Sequence, residues 1–583
     1  MKKTFLLFAV LALMVPVDVL AQPSSATAAG ASYSLSPQLS VGQMSITVDS
    51  ALNAQRKVTG RLVTKGYDGA VGIKLRGNSS LAFNQKKYTL ELRDSAGRDV
   101  EAPLLGMPAH SDWVLLAPYN DVSALRDPLA FQLWRDMGHW GPRTRFVELT
   151  LNGEYRGLYI LSEAIKRGTE RVNIAKLKKS DTAGREVTGG YLLRIDTYNE
   201  DDATFTSKVP GIGDGIMTSQ VVWSCIYPKK KKLQPEQMDY IRNYVDTVEQ
   251  VIQSDYFADP QRGYTRYIDA ASFVDYFIHT ELSLNADGYK RSAYFYKEKQ
   301  RADGTGGKLV AGPVWDYNLA YGNANFSNAN NPEAWCYEGA SNSPTPALWQ
   351  RLLQDVAFRA AVKVRYKELR KGVLSDKAIN AYIDRQARLL APNMKRHFEK
   401  YPELLVTEEE KRQFKPQPFG QMPPMGGFPG PGGDAGGFPG PGGDAGGMVA
   451  FPPGAFPGPD ADASGMVAFP PMGAFPPMGA FPALGADSTA TGGFPPMGAF
   501  PPMGGFGGFG GGFDMVGMFA AYRVCSYDEE IQMLKEWFAK RLAFLDRNIK
   551  RFDKDWRPRV QELKEVKMPQ WFNFPFNNPD KKD

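Results

Sequence analysis

Apolar residues alternate with polar ones over roughly the first third of the chain, then recur at spacings of three and four. Alternation puts one face of a strand into a core, and the longer spacing does the same for a helix. Ser45–Asp49, Arg61–Thr64, Gly72–Ser80, Lys86–Leu92 and Trp113–Ala117 are therefore expected as strands, the third running into a polar turn at Arg76-Gly-Asn-Ser-Ser80. Leu125–Met137 has helical spacing, with Asp121 or Ser123 to cap it. Phe146–Leu151 and Tyr155–Leu161 flank Asn152-Gly153, a dipeptide that accepts positive φ in a tight hairpin, and Gly189–Asp196 is one more strand.

Beyond this point the period changes. Pro235–Ile252 predicts a helix, and a second runs from an Asp269 cap through Phe273, Phe277 and Leu282 to Asn285. Ser292–Lys297 and Lys308–Val314 predict two strands joined by a Gly-rich turn at Gly304–Gly307, before helices over Pro346–Leu353, Val356–Arg370 and Asp376–Tyr401. Ser526 opens a last helix whose Ile531, Leu534, Trp537, Phe538, Leu542, Leu545 and Ile549 share one face. A face that apolar needs a partner, so this helix is expected to dock on the helical part. The expected class is α+β, an antiparallel sheet lobe followed by a helical lobe.

Composition redraws the ends and the middle. Lys2 and Lys3, the apolar run Phe5–Val17 and the small residues before Gln22 read as a secretory signal peptide over residues 1–21, with a flexible leader over 22–32. Export to the periplasm, the cell surface or the medium follows, with no transmembrane segment. From Pro416 to about Phe519 the chain is almost all Gly, Pro, Phe, Met and Ala, with a decapeptide at Phe428 repeated at Phe438. Such composition builds no packed core, so residues 411–520 are expected to be a disordered insertion. The organisation is then a sheet-rich lobe over 33–230, a helical lobe over 231–410, the insertion, a docking helix in 521–560 and a tail over 561–583. A formal charge of +6 on 583 residues gives no reason to expect nucleic acid. Three cysteines and four histidines show no metal-ligand spacing.

Candidate chemistry gathers in Asn285–Asn323. Asp287 lies in a polar loop after an apolar helix, and Asp316 ends the apolar run Gly312-Pro-Val-Trp, with Asn318 two residues on. Two carboxylates at the mouths of adjacent strands can hold a divalent ion and activate a hydroxyl. Each residue alone is also ordinary turn chemistry. In the Arg76–Ser80 turn, Arg76, Asn78, Ser79 and Ser80 offer a guanidinium, hydroxyls and backbone N–H groups to phosphate oxygens, although a tight hairpin needs the same residues. Lys87 follows on the next strand. With Glu163 opposite, it would form a lysine–glutamate pair of the kind that positions nucleotide phosphates in kinases; a surface ion pair is the bland reading.

Several separated motifs resemble one family. Arg76-Gly-Asn-Ser-Ser80, Asp112-Trp-Val-Leu-Leu116, Leu151-Asn-Gly-Glu-Tyr-Arg-Gly-Leu-Tyr159 with Glu163, Thr188-Gly-Gly-Tyr191, Asn285–Asp287 and Gly312-Pro-Val-Trp-Asp316 are similar to the spore-coat CotH family, over Ile73–Asn323 and again over Tyr527–Ile549. The resemblance implies an atypical, two-lobed protein-kinase-like fold that uses ATP and Mg²⁺ or Mn²⁺ to phosphorylate Ser or Thr of a secreted or envelope protein. It makes Asp287 the acceptor of the hydroxyl proton and Asp316 a metal ligand. Lys87, Glu163, Arg76, Asn78, Ser79 and Ser80 become phosphate-binding residues. Two positions depart from the pattern. Ser292 stands where protein kinases carry a metal-binding Asn, and Asn318 where many members carry a second Asp. These departures, with the Phe- and Met-rich insertion, leave a second reading: a catalytically inactive kinase-like surface, adhesion or assembly protein.

Overall fold

Seven of the alternating segments close into a barrel. The computed structural model describes residues 33, 35–197, 199, 201–212, 220–339, 344–416, 517 and 520–558. These belong to one compact unit, Met1–Gln421 with Met503–Asp583; the second unit, Met422–Pro502, lies outside the described residues, as do the expected signal peptide, the leader, most of the insertion and the tail.

The first strands are β1 (Gly42–Val48), β2 (Val58–Thr64), β3 (Tyr67–Arg76) and β4 (Lys87–Arg93). A small hairpin, β5 (Ala102–Leu104) and β6 (Met107–His110), precedes β7 (Asp112–Leu116). Helix α1 (Arg126–Asp136) comes next, then the hairpin β8 (Thr144–Leu151) and β9 (Glu154–Glu163), turning at Asn152 and Gly153 with φ of 51° and 79°. The barrel order is β1-β2-β3-β4-β7-β9-β8, and a parallel β1–β8 pair with Met44 opposite Leu149 closes it. An antiparallel sheet is what the sequence led us to expect, with nothing to show its closure; alternation reports which face is buried but not which strands meet. Ile46, Leu62, Ile73, Leu90, Trp113 and Leu149 fill the interior, all fully buried.

Both cap candidates serve at the start of α1. Asp121 Oδ2 accepts from Arg126 N at 2.9 Å and Ser123 Oγ from Leu125 N at 3.1 Å. They satisfy N–H groups that a helix start leaves without partners.

A second sheet lies against the helices. Its strands are β10 (Tyr191–Ile195), β11 (Ala203–Thr206), β13 (Val222–Tyr227), β14 (Ala293–Lys297) and β15 (Leu309–Ala311), in the order β11-β13-β10-β14-β15, with β12 (Gly211–Ile212) between β11 and β13 in the chain. The sheet thus takes strands from both sides of residue 230, and the acidic hairpin grows from the sheet that carries β10. The strand expected through Val314 ends at Ala311, because Pro313 has no N–H for a ladder.

The helices are α2 (Pro235–Gln253) and α3 (Ala270–Ser283), then, after β16 (Thr345–Pro346), α4 (Leu348–Leu352), α5 (Val356–Arg370), α6 (Asp376–Lys400), α7 (Glu408–Gln413) and α8 (Tyr527–Ile549). Asp269 caps α3 by accepting from Ser272 N, and Ser526 caps α8 by accepting from Glu529 N. Residues 411–413, which composition had assigned to the insertion, are the last turn of α7. Leu534, Phe538, Leu542 and Leu545 of α8 are each no more than 2% exposed in the helical core. At roughly 1.5–3 kcal/mol for a fully buried side chain of this size, they are enough to seat the helix. No helix among the described residues is long and apolar enough to cross a membrane.

Candidate functional site

The end of the β3–β4 hairpin faces the loop that follows β15. Arg76 and Lys87 are cross-strand partners, so their side chains leave the barrel side by side. The Arg76 guanidinium lies 5.0 Å over the Trp315 ring, and Lys87 Nζ is 3.8 Å from Asp316 Oδ1. Two neighbours on the sheet thus meet two neighbours on the loop. Burial pulls the Arg76 guanidinium down, while Tyr294 and Asp316 hold it up.

Asp316 has a left-handed backbone, φ 65°, which few residues other than glycine adopt and which asparagine and aspartate tolerate best. Its neighbours enforce that geometry: Asn285 Nδ2 donates to Asp316 O at 3.1 Å, and Tyr317 N donates to Asp127 Oδ1 at 2.6 Å. Strain held by a surrounding network is characteristic of functional loops.

Asp127, in the first turn of α1, was not among the residues singled out from the sequence. It is 4% exposed, and burial together with the neighbouring Asp316 charge pushes its carboxyl well above the ordinary carboxylate range, with Lys87 opposing. Its only sequence signal is Arg126-Asp127-Pro128, which reads as a helix start. Nothing in its spacing ties it to a loop 190 residues away.

Asn318 is 8% exposed, and its Nδ2 donates to Asn120 Oδ1 at 2.8 Å, which turns its own Oδ1 the other way. Asn323 Nδ2 locks the loop by donating to Asn120 O and Asn318 O at 2.6 and 2.7 Å.

Asp287 projects from a tight turn in which its carbonyl accepts from Lys290 N and Arg291 N at 3.2 and 3.0 Å. Gly288 makes that turn possible, since a Cβ there would lie 2.8 Å from Cys336 Sγ. Asp287 is partly buried, and desolvation raises its carboxyl; Arg291 and Lys290 lower it, while Asp316 and Asp196 raise it further. The carboxylates of Asp287 and Asp316 therefore act on each other. Ser292, also left-handed at φ 47°, sits directly before β14, whose Ala293 pairs with Ile195.

In the Arg76–Ser80 turn, Asn78 and Ser79 are exposed and Ser80 is buried. Gly77 is required there: its φ is 118° and a Cβ would fall 2.0 Å from Ser80 Oγ. Glu163 takes no part in this group. It is fully buried and ion-paired with Arg143 at 2.9 Å and Arg171 at 3.5 Å, while Lys87 turns to Asp316. The strand register explains why. Glu163 stands opposite Trp113, which stands opposite Leu90, three residues along β4 from Lys87. That is roughly 10 Å at the rise of a strand.

Among the described residues no cluster of three or more His, Cys, Asp or Glu side chains is arranged to hold a metal ion. Asp316 and Asn318 on the loop and Asp127 at the start of α1 offer hard oxygen donors, and one or two carboxylates completed by phosphate oxygens is the usual Mg²⁺ site. The repulsion between Asp127 and Asp316 is what a cation between them would relieve, so the donor set fits such an ion. A raised carboxyl also makes a stability prediction. Asp127 binds its proton more tightly in the folded than in the unfolded chain, so its contribution is complete below about pH 4 and is lost as pH rises through its folded value. Asp127→Asn keeps the acceptor for Tyr317 N and removes the charge. We expect it to melt a few degrees above wild type at pH 8, with the difference closing as pH falls to 4, as measured by calorimetry.

The family model described as CotH kinase protein matches residues 73–416, more than half of the chain. The chain belongs to the CotH family. The match contains Arg76, Lys87, Asp127, Asp287, Asp316 and Asn318. It runs past Asn323, where the first stretch of resemblance ended, and does not reach the second stretch, Tyr527–Ile549, which is α8. Barrel strands β1 and β2 also lie outside it, so this CotH domain is completed by chain on both sides of the matched region. No curated protein matches the chain.

Proposed function

We propose that this CotH protein is exported and transfers the γ-phosphoryl group of ATP to a Ser or Thr hydroxyl of a secreted or envelope protein, with Mg²⁺ or Mn²⁺ as cofactor. In this reading the barrel and the helical part are the two lobes of an atypical kinase-like fold. The supporting observation is the meeting of Lys87 with Asp316 at 3.8 Å, beside a buried Asp127 and within the field of Asp287. Lys87 and Arg76 hold phosphate oxygens, and the Asn78–Ser80 turn adds hydroxyl and amide donors. Asp316, Asp127 and Asn318 are the residues that would hold the divalent ion, which when bound offsets charge on the phosphates. Asp287 orients the acceptor hydroxyl and takes its proton. Asp316 is the lysine's acidic partner in place of Glu163, with Asp127, on the helix that packs behind the loop, in the field of both.

Thermal unfolding tests the nucleotide half of this reading. Mg·ATP at a hundredfold excess over its Kd is expected to stabilise the protein by about 2.7 kcal/mol, and Lys87→Met to remove most of that shift. A wild-type protein whose melting is indifferent to Mg·ATP would sink the proposal. Stabilisation without phosphoryl transfer to any protein would support the inactive surface or assembly reading that Asn318 and Ser292 leave open.

A further inference from the structure

Next to Asp127, Arg126 is fully buried and bonded through all three of its guanidinium nitrogens. Nε donates to Ala320 O at 3.1 Å, in the loop that carries Asp316 and Asn318. Nη1 donates to Asp121 Oδ1 at 2.5 Å, Ser123 Oγ at 3.2 Å and Glu530 Oε1 at 2.6 Å. Nη2 donates to Tyr522 Oη at 2.7 Å, and that hydroxyl donates to Glu530 Oε1 at 3.1 Å. Glu530 is on α8 and Tyr522 is in its lead-in, 404 and 396 residues from Arg126. The same stretch reaches the loop directly: Ala520 bridges Ala324, Ala521 N donates to Asn323 O at 3.3 Å, and Gly322 lies against Trp537, which a Cβ would meet at 2.4 Å.

We infer that Arg126 is a positioning residue for the phosphotransfer site, and that Tyr522 and Glu530 place the geometry of that site under the C-terminal helix. One planar guanidinium joins the start of α1, which carries Asp127, to the loop that carries Asp316, and Glu530 of α8 shares with Asp121 the counter-charge that keeps it there. Arginine suits this role because its fork offers donors in fixed directions to several acceptors at once; a lysine ammonium offers a single point. A buried guanidinium needs all its donors satisfied, so removing either Glu530 or Tyr522 leaves the fork under-satisfied and loosens its hold on Ala320. Arg126 touches no reacting atom in this arrangement. It acts through Asp127 and the loop, and the loss expected is that of a residue supporting a metal ligand, about ten- to a hundredfold in affinity.

The consequence for catalysis rests on the reading proposed above, whereas the coupling itself does not, and the test separates them. Hydrogen exchange of the ligand-free full-length chain would be compared for wild type, Tyr522→Phe, Glu530→Gln and the control Lys535→Ala, which removes the partly exposed α8–α6 ion pair to Asp384. The reporting amides are Tyr317, Ala320, Tyr321 and Asn323, each bonded within or beside the loop. Faster exchange at these four in both Tyr522→Phe and Glu530→Gln, with no change in the control, is the expected result, together with a Kd for Mg·ATP raised about tenfold or more by calorimetry. Unchanged exchange in folded Tyr522→Phe overturns the inference, and that variant carries the test if Glu530→Gln does not fold. Faster exchange in the variants of a wild type that binds no Mg·ATP would uphold the coupling and reject the proposed function.

Discussion

Asp287→Asn is expected to lower phosphoryl transfer by about two to four orders of magnitude while leaving Mg·ATP affinity close to wild type. Asparagine keeps the size of the side chain and leaves the turn intact, since Lys290 N and Arg291 N bond to the backbone carbonyl. What it cannot do is take a proton. The loss should appear in kcat, because orienting and deprotonating the acceptor hydroxyl matters in the transition state and not in nucleotide binding. The pH profile gives a second check. Desolvation and the neighbouring Asp316 and Asp196 raise the Asp287 carboxyl, so its basic form is lost as pH falls at a higher pH than for a free carboxylate. The acid limb of the wild-type rate should therefore lie above the ordinary carboxylate range. Initial rates with γ-labelled ATP and dephosphorylated casein as the acceptor would measure both. Equal rates in the two proteins would remove Asp287 from the mechanism.

The acidic hairpin could be found in the sequence because its parts are close together in the chain. Asn285-Ala-Asp-Gly and Gly-Pro-Val-Trp-Asp are local chemistry, as are the Asn152-Gly153 turn and the caps at Asp269 and Ser526, and for each the residue type determines the backbone within a few positions. The partners those motifs meet were not legible. Lys87 and Glu163 both lie at strand ends beside polar loops, and nothing in the alternation says that β7 intervenes with a three-residue offset. Asp127 is the reverse case. Its helix was evident, but its role depends on a loop from far along the chain reaching back to it. The barrel escaped notice for the same reason, since its closing pair β1–β8 joins strands about a hundred residues apart. Sequence pattern fixes faces and turns, whereas registers between distant strands are decided by packing.

That offset has an energetic consequence that separates Lys87 from Glu163, the two residues expected to pair at the phosphates. Glu163→Ala is expected to destabilise the fold by about 3–5 kcal/mol, the cost of breaking a buried ion pair from one side. Glu163 Oε2 accepts from Arg143 N and Nε at 2.9 and 3.0 Å, and its other oxygen pairs with Arg143 Nη2 at 2.9 Å. Arg171 lies behind it, 4.9 Å over the Trp113 ring, its guanidinium pulled down to about 10 by burial with Glu163 opposing. Alanine would leave the buried Arg171 guanidinium without its ion-pair partner and Arg143 with only the exposed Glu170, 3.7 Å away. Had Glu163 been the partner of Lys87 at the phosphates, its loss would weaken Mg·ATP binding and cost little stability. With the pairing observed, the signature inverts: a large fall in the denaturation midpoint, and an unchanged Kd in the protein that remains folded. Lys87→Met should show the opposite pattern, since Lys87 faces the site and gives up only a 3.8 Å contact with a partly exposed Asp316. Measuring both quantities for both variants tests the division of labour directly. A fall in affinity with unchanged stability for Glu163→Ala would return that residue to the nucleotide site.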